Sequence, residues 1–318
     1  MTGRRIVVLG ATGFLGRHIA QACAAEGHWV LGVSRATPHV AAGHRAALDL
    51  AATTTARLGE FLLAHRPDVV VNAVGTVWQA DEQRMRELND VFVHRLVTAL
   101  AELPSPARLV HLGSVHEYGP TPAGVPLTET QDPSPAGTYG WTKLRGTRRV
   151  QAAAGDGLDA VTLRVANACG PGAPPQSLLG KVAAELAGQA GLTGGTGELR
   201  LAPLRARRDF VDVRDVAEAA LAAAFAAPDV VAGRTINIGR GQAVPVRDLV
   251  DRLVALSGLP VRLVEAESPD GTRSGAEWQQ TDITLARLLL GWRPRRTLDA
   301  SLRDLLAGAW LRQPASPR

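Results

Sequence analysis

The amino-acid sequence predicts an α/β fold in which helices cover both faces of a parallel β-sheet. Short apolar runs alternate with segments of helical periodicity, and a glycine-rich turn directly follows the first apolar run. The chain has 318 residues, of which 46% are hydrophobic and 20% are charged, so a large core can be buried. We therefore expect one large α/β domain with a smaller lobe attached.

The alternation can be followed element by element. Strands are predicted where short runs are rich in aliphatic residues, at 4–9, 28–33, 68–74, 107–112, 160–165 and 235–239. Helices are predicted where apolar residues recur at helical spacing, at 14–26, 55–65, 82–101, 139–154, 213–227, 246–257, 285–290 and 298–311. Flexible turns are expected at 170–175 and 191–197, and a frayed tail at 313–318.

Composition and charge exclude several classes of protein. No apolar run approaches the roughly 20 residues of a membrane helix, and the run 6–9 is too short for the core of a signal peptide. Two cysteines, Cys23 and Cys169, are too few for a disulfide framework or a cysteine zinc site. The net charge is +5, but no long basic tract with interleaved aromatic residues marks a nucleic-acid interface. We expect a cytoplasmic protein with no metal, no membrane partner and no nucleic-acid partner.

The glycine-rich turn Gly10-Ala-Thr-Gly13-Phe-Leu-Gly16 lies between the first predicted strand and the first predicted helix. Glycine can adopt positive φ and lets another backbone come close, and the free N–H groups at a helix start attract a pyrophosphate. The third glycine lets the helix pack near the strand. In this context the turn favours dinucleotide binding by a Rossmann-type doubly wound sheet over a tight turn without a ligand.

The end of the second predicted strand indicates which dinucleotide is preferred. A site for NAD usually offers an acidic residue there to the ribose 2′-hydroxyl. This chain has Ser34-Arg35 and no acid at that point. Because a guanidinium can bind a 2′-phosphate through its planar set of donors, we expect NADPH as the cofactor. An ordinary surface arginine is the alternative.

Tyr139 and Lys143 open the long predicted helix and share one face of it, because they are four residues apart. Reduction of a ketone by hydride leaves an alkoxide that needs a proton, and a tyrosine with a cation nearby can supply one. Ser114 ends a predicted strand and can hydrogen-bond the substrate carbonyl. These three residues are the candidate catalytic group, and an exposed helix pair is the alternative for the first two.

Together these features resemble the extended short-chain dehydrogenase/reductases, the group that contains NAD-dependent epimerases and dehydratases. The resemblance extends along nearly the whole chain. Besides the turn and the Tyr139–Lys143 pair, it is carried by Asn-Ala-Val-Gly at 72–75, Ser-Val-His-Glu-Tyr-Gly at 114–119, Arg-Val-Ala-Asn-Ala-Cys-Gly-Pro at 164–171, Arg-Asp-Phe-Val-Asp-Val-Arg-Asp-Val at 208–216 and Leu-Gly-Trp-Arg-Pro at 290–294. Two positions depart from the family pattern: Glu117 stands where Val is usual, and Cys169 where Tyr is frequent.

The resemblance implies a full set of site residues. The catalytic residues are Ser114, Tyr139 and Lys143. The cofactor-binding residues are Gly10, Thr12, Gly13, Phe14, Leu15, Gly16, Ser34, Arg35, Asp49, Leu50, Ala73, Val74, Gly75, Tyr139 and Lys143. The substrate-binding residues are Ser114, His116, Asn167 and Arg208, with Asn167 on the sugar nucleotide and Arg208 on its diphosphate. His116 is interpreted as a neutral pocket residue rather than a second acid or base, and Glu117 is expected to face either the pocket or arginine side chains.

The residues at 114–116 reduce the number of possible reactions. Dehydratases of this group have a sequence like Thr-Asp-Glu at the strand end. This chain has Ser114, Val115 and His116 there, so dehydration is disfavoured. Epimerases usually keep NAD and recycle it, whereas Arg35 favours consumption of NADPH. We therefore expect reduction of a 4-keto-6-deoxysugar linked to a nucleotide, dTDP in the first instance, in deoxysugar biosynthesis. Alternatives are an NDP-sugar epimerase, a reductase of a ketone without a nucleotide, and a non-catalytic NADP(H)-sensing regulator.

The predicted domain division follows from the same resemblance. Residues 1–167, with about 209–239, are expected to form the NADP(H)-binding domain. Residues from about 168 to 208 and from about 240 to 312 are expected to form a smaller, interleaved C-terminal lobe that binds the sugar nucleotide. A homodimer is expected, formed through the helices at 82–101 and 139–154.

Overall fold

Seven parallel strands form the central sheet. The computed structural model describes residues 3–36, 43–76, 80–189, 197–266 and 277–311, and every statement below concerns these ranges. The strands are β1 (Arg5–Leu9), β2 (Trp29–Ser34), β3 (His44–Ala47), β4 (Val69–Asn72), β5 (Arg108–Ser114), β6 (Ala160–Val165), β7 (Asn167–Cys169), β8 (Gly197–Leu201), β9 (Arg207–Asp212), β10 (Thr235–Ile238), β11 (Ala243–Pro245) and β12 (Val261–Glu265). The central sheet has the order β10-β6-β5-β4-β1-β2-β3. This doubly wound order confirms the predicted fold class.

Helices cover both faces of this sheet. They are α1 (Phe14–Ala25), α2 (Thr55–His65), α3 (Glu82–Arg86), α4 (Phe92–Ala101), α5 (Thr138–Gly155), α6 (Leu178–Gln189), α7 (Val213–Phe225), α8 (Pro228–Val231), α9 (Val246–Ser257), α10 (Thr284–Leu290) and α11 (Leu298–Trp310). Alternate side chains of β1 enter two different cores: Ile6 and Val8 pack in the core that contains residues of α1 and α7, and Val7 and Leu9 in the core of α2 and α4. In the part of the chain described, no helix is both long and apolar enough to span a bilayer.

A third hydrophobic core lies outside the central sheet. It is surrounded by α6, α9 and α11, by the three-stranded sheet β11-β9-β7, and by the parallel pair β12-β8. The strands of this region alternate along the chain with β10, which belongs to the central sheet. The smaller region is therefore interleaved in sequence with the larger one, and the domain boundaries given above stay a prediction.

Several short strands escaped the sequence analysis. Strand β3 has the sequence His-Arg-Ala-Ala and lies at the exposed edge of the central sheet, so it has no apolar run to reveal it. The strands β7, β8, β9, β11 and β12 have three to six residues each. Of the flexible stretches that we predicted, 313–318 and the part 191–196 of the second turn lie outside the described residues.

The helix predicted at 82–101 is interrupted. It consists of α3 and α4 joined by a π-helical turn, Glu87–Val91. A π-turn inserts one extra residue into a helix and is frequent at functional sites. Gly146 of α5 packs against this turn, since a Cβ there would lie 2.2 Å from the backbone oxygen of Asn89. Helix periodicity alone does not reveal such an insertion.

Candidate active site

The glycine-rich turn brings the start of α1 close to the end of β1. Gly10 has φ of +80°, and its N–H donates to the carbonyl of Val33 at 2.9 Å. A Cβ on Gly16 would lie 2.2 Å from the backbone oxygen of Gly10, so only glycine fits there. The first N–H groups of α1 have no partner within the helix and are available to a phosphate. The turn therefore fits the pyrophosphate of a dinucleotide.

A cavity lies at the carboxyl ends of β1, β2 and β4, the place where a doubly wound sheet binds its ligands. Its lining residues are Gly10, Thr12, Gly13, Ser34, Arg35, Leu48, Asp49, Leu50, Ala51, Ala73, Val74, Gly75, Thr76, Arg84 and Leu88. Phe14 and Leu15 belong to the predicted cofactor set, but their side chains pack against two of the hydrophobic cores. Neither residue is among the lining residues of the cavity.

Five residues of this lining were not among the predicted cofactor-binding residues. Leu48 and Ala51 flank the predicted pair Asp49–Leu50, and Thr76 directly follows the Asn-Ala-Val-Gly segment. These residues are found simply by extending each motif by one position. Arg84 and Leu88 are different, because they reach the cavity from α3 and the π-helical turn, and no local pattern indicates that these elements turn toward the cofactor.

Ser114 and Tyr139 meet at the carboxyl end of β5. The Ser114 side chain lies beside the Tyr139 phenol, close enough to affect its pKa. Ser114 is buried and Tyr139 is partly exposed. Burial raises the pKa of Tyr139 to about 12, while the nearby Ser114 side chain acts in the opposite direction. The phenol is therefore protonated at neutral pH and ready to donate.

Lys143 lies one helical turn after Tyr139, at the wall of the cofactor cavity. Its side chain is 4% exposed, and its ammonium donates to the backbone carbonyl of Leu112 at 2.5 Å. A Cβ on Gly75 would lie 3.8 Å from the Lys143 Nζ, which places the ammonium beside the lining of the cavity. Burial lowers the pKa of Lys143 to about 8. The structure thus gathers the three predicted catalytic residues in one place.

Asn89 is a supporting residue that the sequence analysis missed. It is fully buried in the π-helical turn. Its Nδ2 donates to the Thr76 carbonyl at 3.1 Å and to the Thr142 hydroxyl at 3.0 Å, and its Oδ1 accepts from the Thr76 N–H at 3.2 Å. Asn89 therefore joins the cofactor cavity to the helix of Tyr139 and Lys143. Its role depends on contacts between distant segments, so no spacing in the sequence predicts it.

His116 and Glu117 follow Ser114 in a 3-10 turn and point in different directions. The His116 ring is edge-on to Tyr139 with the ring centroids 5.6 Å apart. Burial, with a further contribution from the charge of Arg208, lowers the pKa of His116 to about 4. Its imidazole is therefore neutral, as expected from the sequence. Glu117 does not face the pocket: it is fully buried and bonded to Arg164 at 2.8 Å.

The predicted substrate residues Asn167 and Arg208 lie on the neighbouring strands β7 and β9. The Asn167 Nδ2 donates to the Asp209 carbonyl at 2.9 Å and to the Gln279 Oε1 at 3.0 Å. Arg208 is partly exposed, and burial lowers its pKa. Asp209 is fully buried and accepts the N–H groups of residues 240, 241 and 281. Gln279, 112 residues from its partner, was not predicted.

Cys169 has a structural role only. It is 1% exposed and belongs to the third hydrophobic core. Burial raises the pKa of its thiol to about 12, so it is not a reactive group. The expectation of an ordinary small apolar residue agrees with this position.

The geometry described so far is that of an enzyme with a dinucleotide fold and a tyrosine–lysine–serine site. The chain matches the family described as NAD dependent epimerase/dehydratase over residues 6–239, and it belongs to that family. Family membership and the prediction of an oxidoreductase are thereby confirmed.

Individual relatives narrow the comparison. The chain is 43% identical over 315 residues to a dTDP-6-deoxy-L-talose 4-dehydrogenase (NAD(P)(+)) of Kitasatospora kifunensis, covering 98% of this chain and 96% of the relative. It is 27% identical to a UDP-glucose 4-epimerase of Mycolicibacterium smegmatis, covering 92% and 95%. Among solved structures, RMD of Pseudomonas aeruginosa, complexed with NADPH, has a TM-score of 0.81 at 24% identity over 97% of this chain and 100% of that chain. This last likeness concerns the fold. The homodimer and the cytoplasmic location stay predictions.

Proposed function

We propose that the protein reduces the C4 ketone of a nucleotide-linked 4-keto-6-deoxysugar with NADPH. The observation that carries the proposal is the convergence of Ser114, Tyr139 and Lys143 beside a cavity whose second-strand end offers Arg35 and no acid. The relative from Kitasatospora kifunensis is named for the 4-dehydrogenation of a dTDP-6-deoxysugar. Oxidation of that hydroxyl and reduction of the corresponding ketone are one reaction in two directions, so the same site serves both.

The cofactor is proposed to lie along the carboxyl ends of β1, β2 and β4. The turn Gly10–Gly16 and the start of α1 hold the pyrophosphate, and Arg35 holds the 2′-phosphate through charged hydrogen bonds. Arg84, the second arginine in the lining, adds positive charge for a strongly anionic ligand. Bound NADPH supplies the hydride that reduces the carbonyl carbon.

The residues of the chain supply the proton and the orientation. The Ser114 hydroxyl holds the carbonyl oxygen, and the Tyr139 phenol donates its proton to that oxygen as the alkoxide forms. The phenolate that results is stabilised by the ammonium of Lys143, one helical turn away. His116 is neutral and orients the sugar by hydrogen bonding rather than by acid–base chemistry.

The substrate's nucleotide diphosphate is proposed to bind at β7 and β9. Asn167 contacts the sugar nucleotide, and the Arg208 guanidinium contacts the diphosphate, for which its planar donors are well suited. Asn167 is oriented by its bonds to Gln279 and to the backbone of β9.

The experiment that tests the proposal is a turnover assay. Purified protein is mixed with NADPH and each of several dTDP-4-keto-6-deoxyhexoses, and the loss of absorbance of the reduced nicotinamide is followed. We expect stoichiometric oxidation of NADPH with at least one of them. Interconversion of two nucleotide sugars without net oxidation would instead identify an epimerase, the activity named for the Mycolicibacterium smegmatis relative. Tight binding of NADPH with no reaction on any substrate would identify a regulator.

A further inference from the structure

A carboxylate is completely buried next to the proposed catalytic residues. Glu117 is 0% exposed and ends the 3-10 turn Val115–Glu117 that follows β5. It occupies the position at which Val is usual in the family pattern that residues 114–119 resemble. Gly113 makes the space for it, because a Cβ at that position would lie 2.7 Å from the Glu117 Oε1. Burial of a charge is costly, and this site has been adapted to hold one.

Three donors from three elements bind the carboxylate. Its Oε1 accepts the backbone N–H of Ser114 at 2.8 Å and the hydroxyl of Thr147 at 3.0 Å. Its Oε2 accepts the Nε–H of Arg164 at 2.8 Å. Because an ionised carboxylate can only accept, this set of donors matches the charged form. Glu117 thereby connects β5 and β6 to α5, the helix that carries Tyr139 and Lys143.

Arg164, the cation that pairs with Glu117, is held in place by its neighbours. Arg164 is 3% exposed, and its guanidinium lies 4.5 Å from the centroid of the Tyr118 ring. The Tyr118 hydroxyl donates to the Oδ1 of Asn237 on β10 at 2.8 Å. Arg164 therefore stays on the Oε2 side of the carboxylate, whereas Ser114 and Thr147 contact Oε1. The negative charge is fixed relative to the catalytic residues and cannot swing toward solvent.

Glu117 acts electrostatically on both catalytic ionisable groups. Burial lowers the pKa of Lys143 to about 8, and the charge of Glu117 acts in the opposite direction. Burial raises the pKa of Tyr139 to about 12, and among the further influences the charge of Glu117 adds to that increase. Loss of the carboxylate's charge would consequently lower both pKa values.

Other ionisable groups lie in this part of the molecule. They are His111 of β5, His116 of the 3-10 turn, Arg164 of β6, Arg208 of β9 and Asp90 of the π-helical turn. Burial lowers the pKa of both histidines, so they are neutral at the pH of the assay. The Asp90 Oδ1 lies 3.3 Å from the Nε of Arg149, a residue of α5. Among the described residues, Glu117 is the anion that acts on the tyrosine and the lysine together.

We propose that Glu117 is a positioning residue of this active site: it fixes the backbone of Ser114 and supplies the negative charge that keeps the Lys143 ammonium protonated while Tyr139 cycles between phenol and phenolate. Burial of Lys143 beside the cofactor would by itself favour the neutral amine, which cannot stabilise a phenolate. The carboxylate offsets this effect from the side away from the substrate. This assignment rests on the proposed function for its catalytic consequence, but its electrostatic part can be tested without any substrate.

The composition of the chain permits a direct test. The sequence contains two lysines, Lys143 and Lys181, and Lys181 is half exposed on α6. Protein grown with lysine that carries 13C at Cε should therefore give two resolved titrating signals, of which Lys143→Arg removes one and so assigns both. We expect Lys143 to titrate near pH 8 in the wild-type protein.

Two variants remove the charge in different ways. Glu117→Gln keeps the shape of the side chain, and Glu117→Val with Arg164→Met replaces the whole ion pair by apolar groups, so that no buried cation is left unpaired. In either folded variant we expect the pKa of Lys143 to fall by roughly one unit. A folded variant in which Lys143 titrates as in the wild-type protein would overturn the proposal.

A matched control separates this effect from general damage to a buried ion pair. Arg108 and Asp159 form a similar pair at 3.0 Å at the opposite end of β5 and β6. Asp159→Asn should lower thermal stability but leave the pKa of Lys143 unchanged. A shift as large as that of Glu117→Gln would mean that any disturbance of these strands moves the lysine, and the assignment to Glu117 would be wrong.

Turnover supplies a second readout. At pH 8 we expect kcat of Glu117→Gln to fall about fivefold with the KM for the sugar within about twofold, because the charged fraction of Lys143 falls from about one half to about one tenth when its pKa falls from about 8 by roughly one unit. The decline of reductase activity at high pH should also begin at lower pH. An unchanged kcat and pH profile would contradict the catalytic part of the proposal. If the wild-type protein reduces no ketosugar, the proposed function fails, and the lysine titration still decides whether Glu117 acts as described.

Discussion

The cofactor side and the substrate side of the site are built in different ways. The cofactor cavity lies at three neighbouring strand ends, and Gly10, Gly13 and Gly75 are among its lining residues. On the substrate side, Asn167 is held by a glutamine 112 residues away, and Asp209 joins three separate backbone segments. The first half is organised by local chain geometry and the second by contacts between distant side chains.

This difference determines what each half can change. A ligand held by backbone N–H groups tolerates few substitutions, because only glycine fits at positions such as 16. A ligand held by side chains that orient one another can be exchanged through a few substitutions at the periphery. We therefore expect the cofactor class to be common to the relatives and the sugar to differ among them.

The largest predicted effect on kcat comes from Tyr139, which lies between the cofactor side and the substrate side of the site. Tyr139→Phe removes the proton donor but keeps the ring, so kcat should fall by about 10³-fold while binding of NADPH is unchanged. Tyr118→Phe is a matched control, since it removes the hydroxyl of the only other tyrosine in the chain. That hydroxyl donates to Asn237, so the control should cost about 1 kcal/mol of unfolding free energy with little loss of kcat. Equal losses in the two variants would contradict the assignment.

The cofactor half can be tested by a reversal of charge. Arg35→Asp should raise the KM for NADPH by about 100-fold and lower that for NADH, because the acid repels a 2′-phosphate and accepts from a 2′-hydroxyl. Calorimetric titration with each cofactor gives the same comparison without a substrate. Arg86→Asp makes the same change on an exposed residue of α3 that is not part of the cavity lining. An unaltered preference in Arg35→Asp, or the same change in Arg86→Asp, would refute the role of Arg35.

A smaller effect is predicted on the substrate half. Asn167→Ala should raise the KM for the nucleotide sugar about tenfold without affecting the KM for NADPH. Gln279→Ala should act in the same direction, because Gln279 orients Asn167 through its Oε1. If both substitutions changed only the affinity for NADPH, the division of the site into two halves would be wrong. Steady-state kinetics with each reactant varied in turn distinguish these outcomes.

The features that could be predicted from the sequence are those whose residues are close together both in the chain and in space. The turn Gly10–Gly16 and the pair Tyr139–Lys143 are local, and their spacing alone fixes their geometry. Asn89 and Gln279 act through residues far away in the chain, so neither has a local signal. Strand β3 was missed for a further reason: an exposed edge strand needs no apolar residues to form its ladder.

The π-helical turn before α4 has a consequence for how this site tolerates insertions and deletions. Successive residues of an α-helix differ by about 100° in direction, so one residue removed from Glu87–Val91 would restore regular winding and rotate everything on one side of the deletion by that angle. Either Asn89 would turn away from Thr142, or the buried face of α4 would turn toward water. The length of this segment is therefore as strictly constrained as the identity of any catalytic side chain.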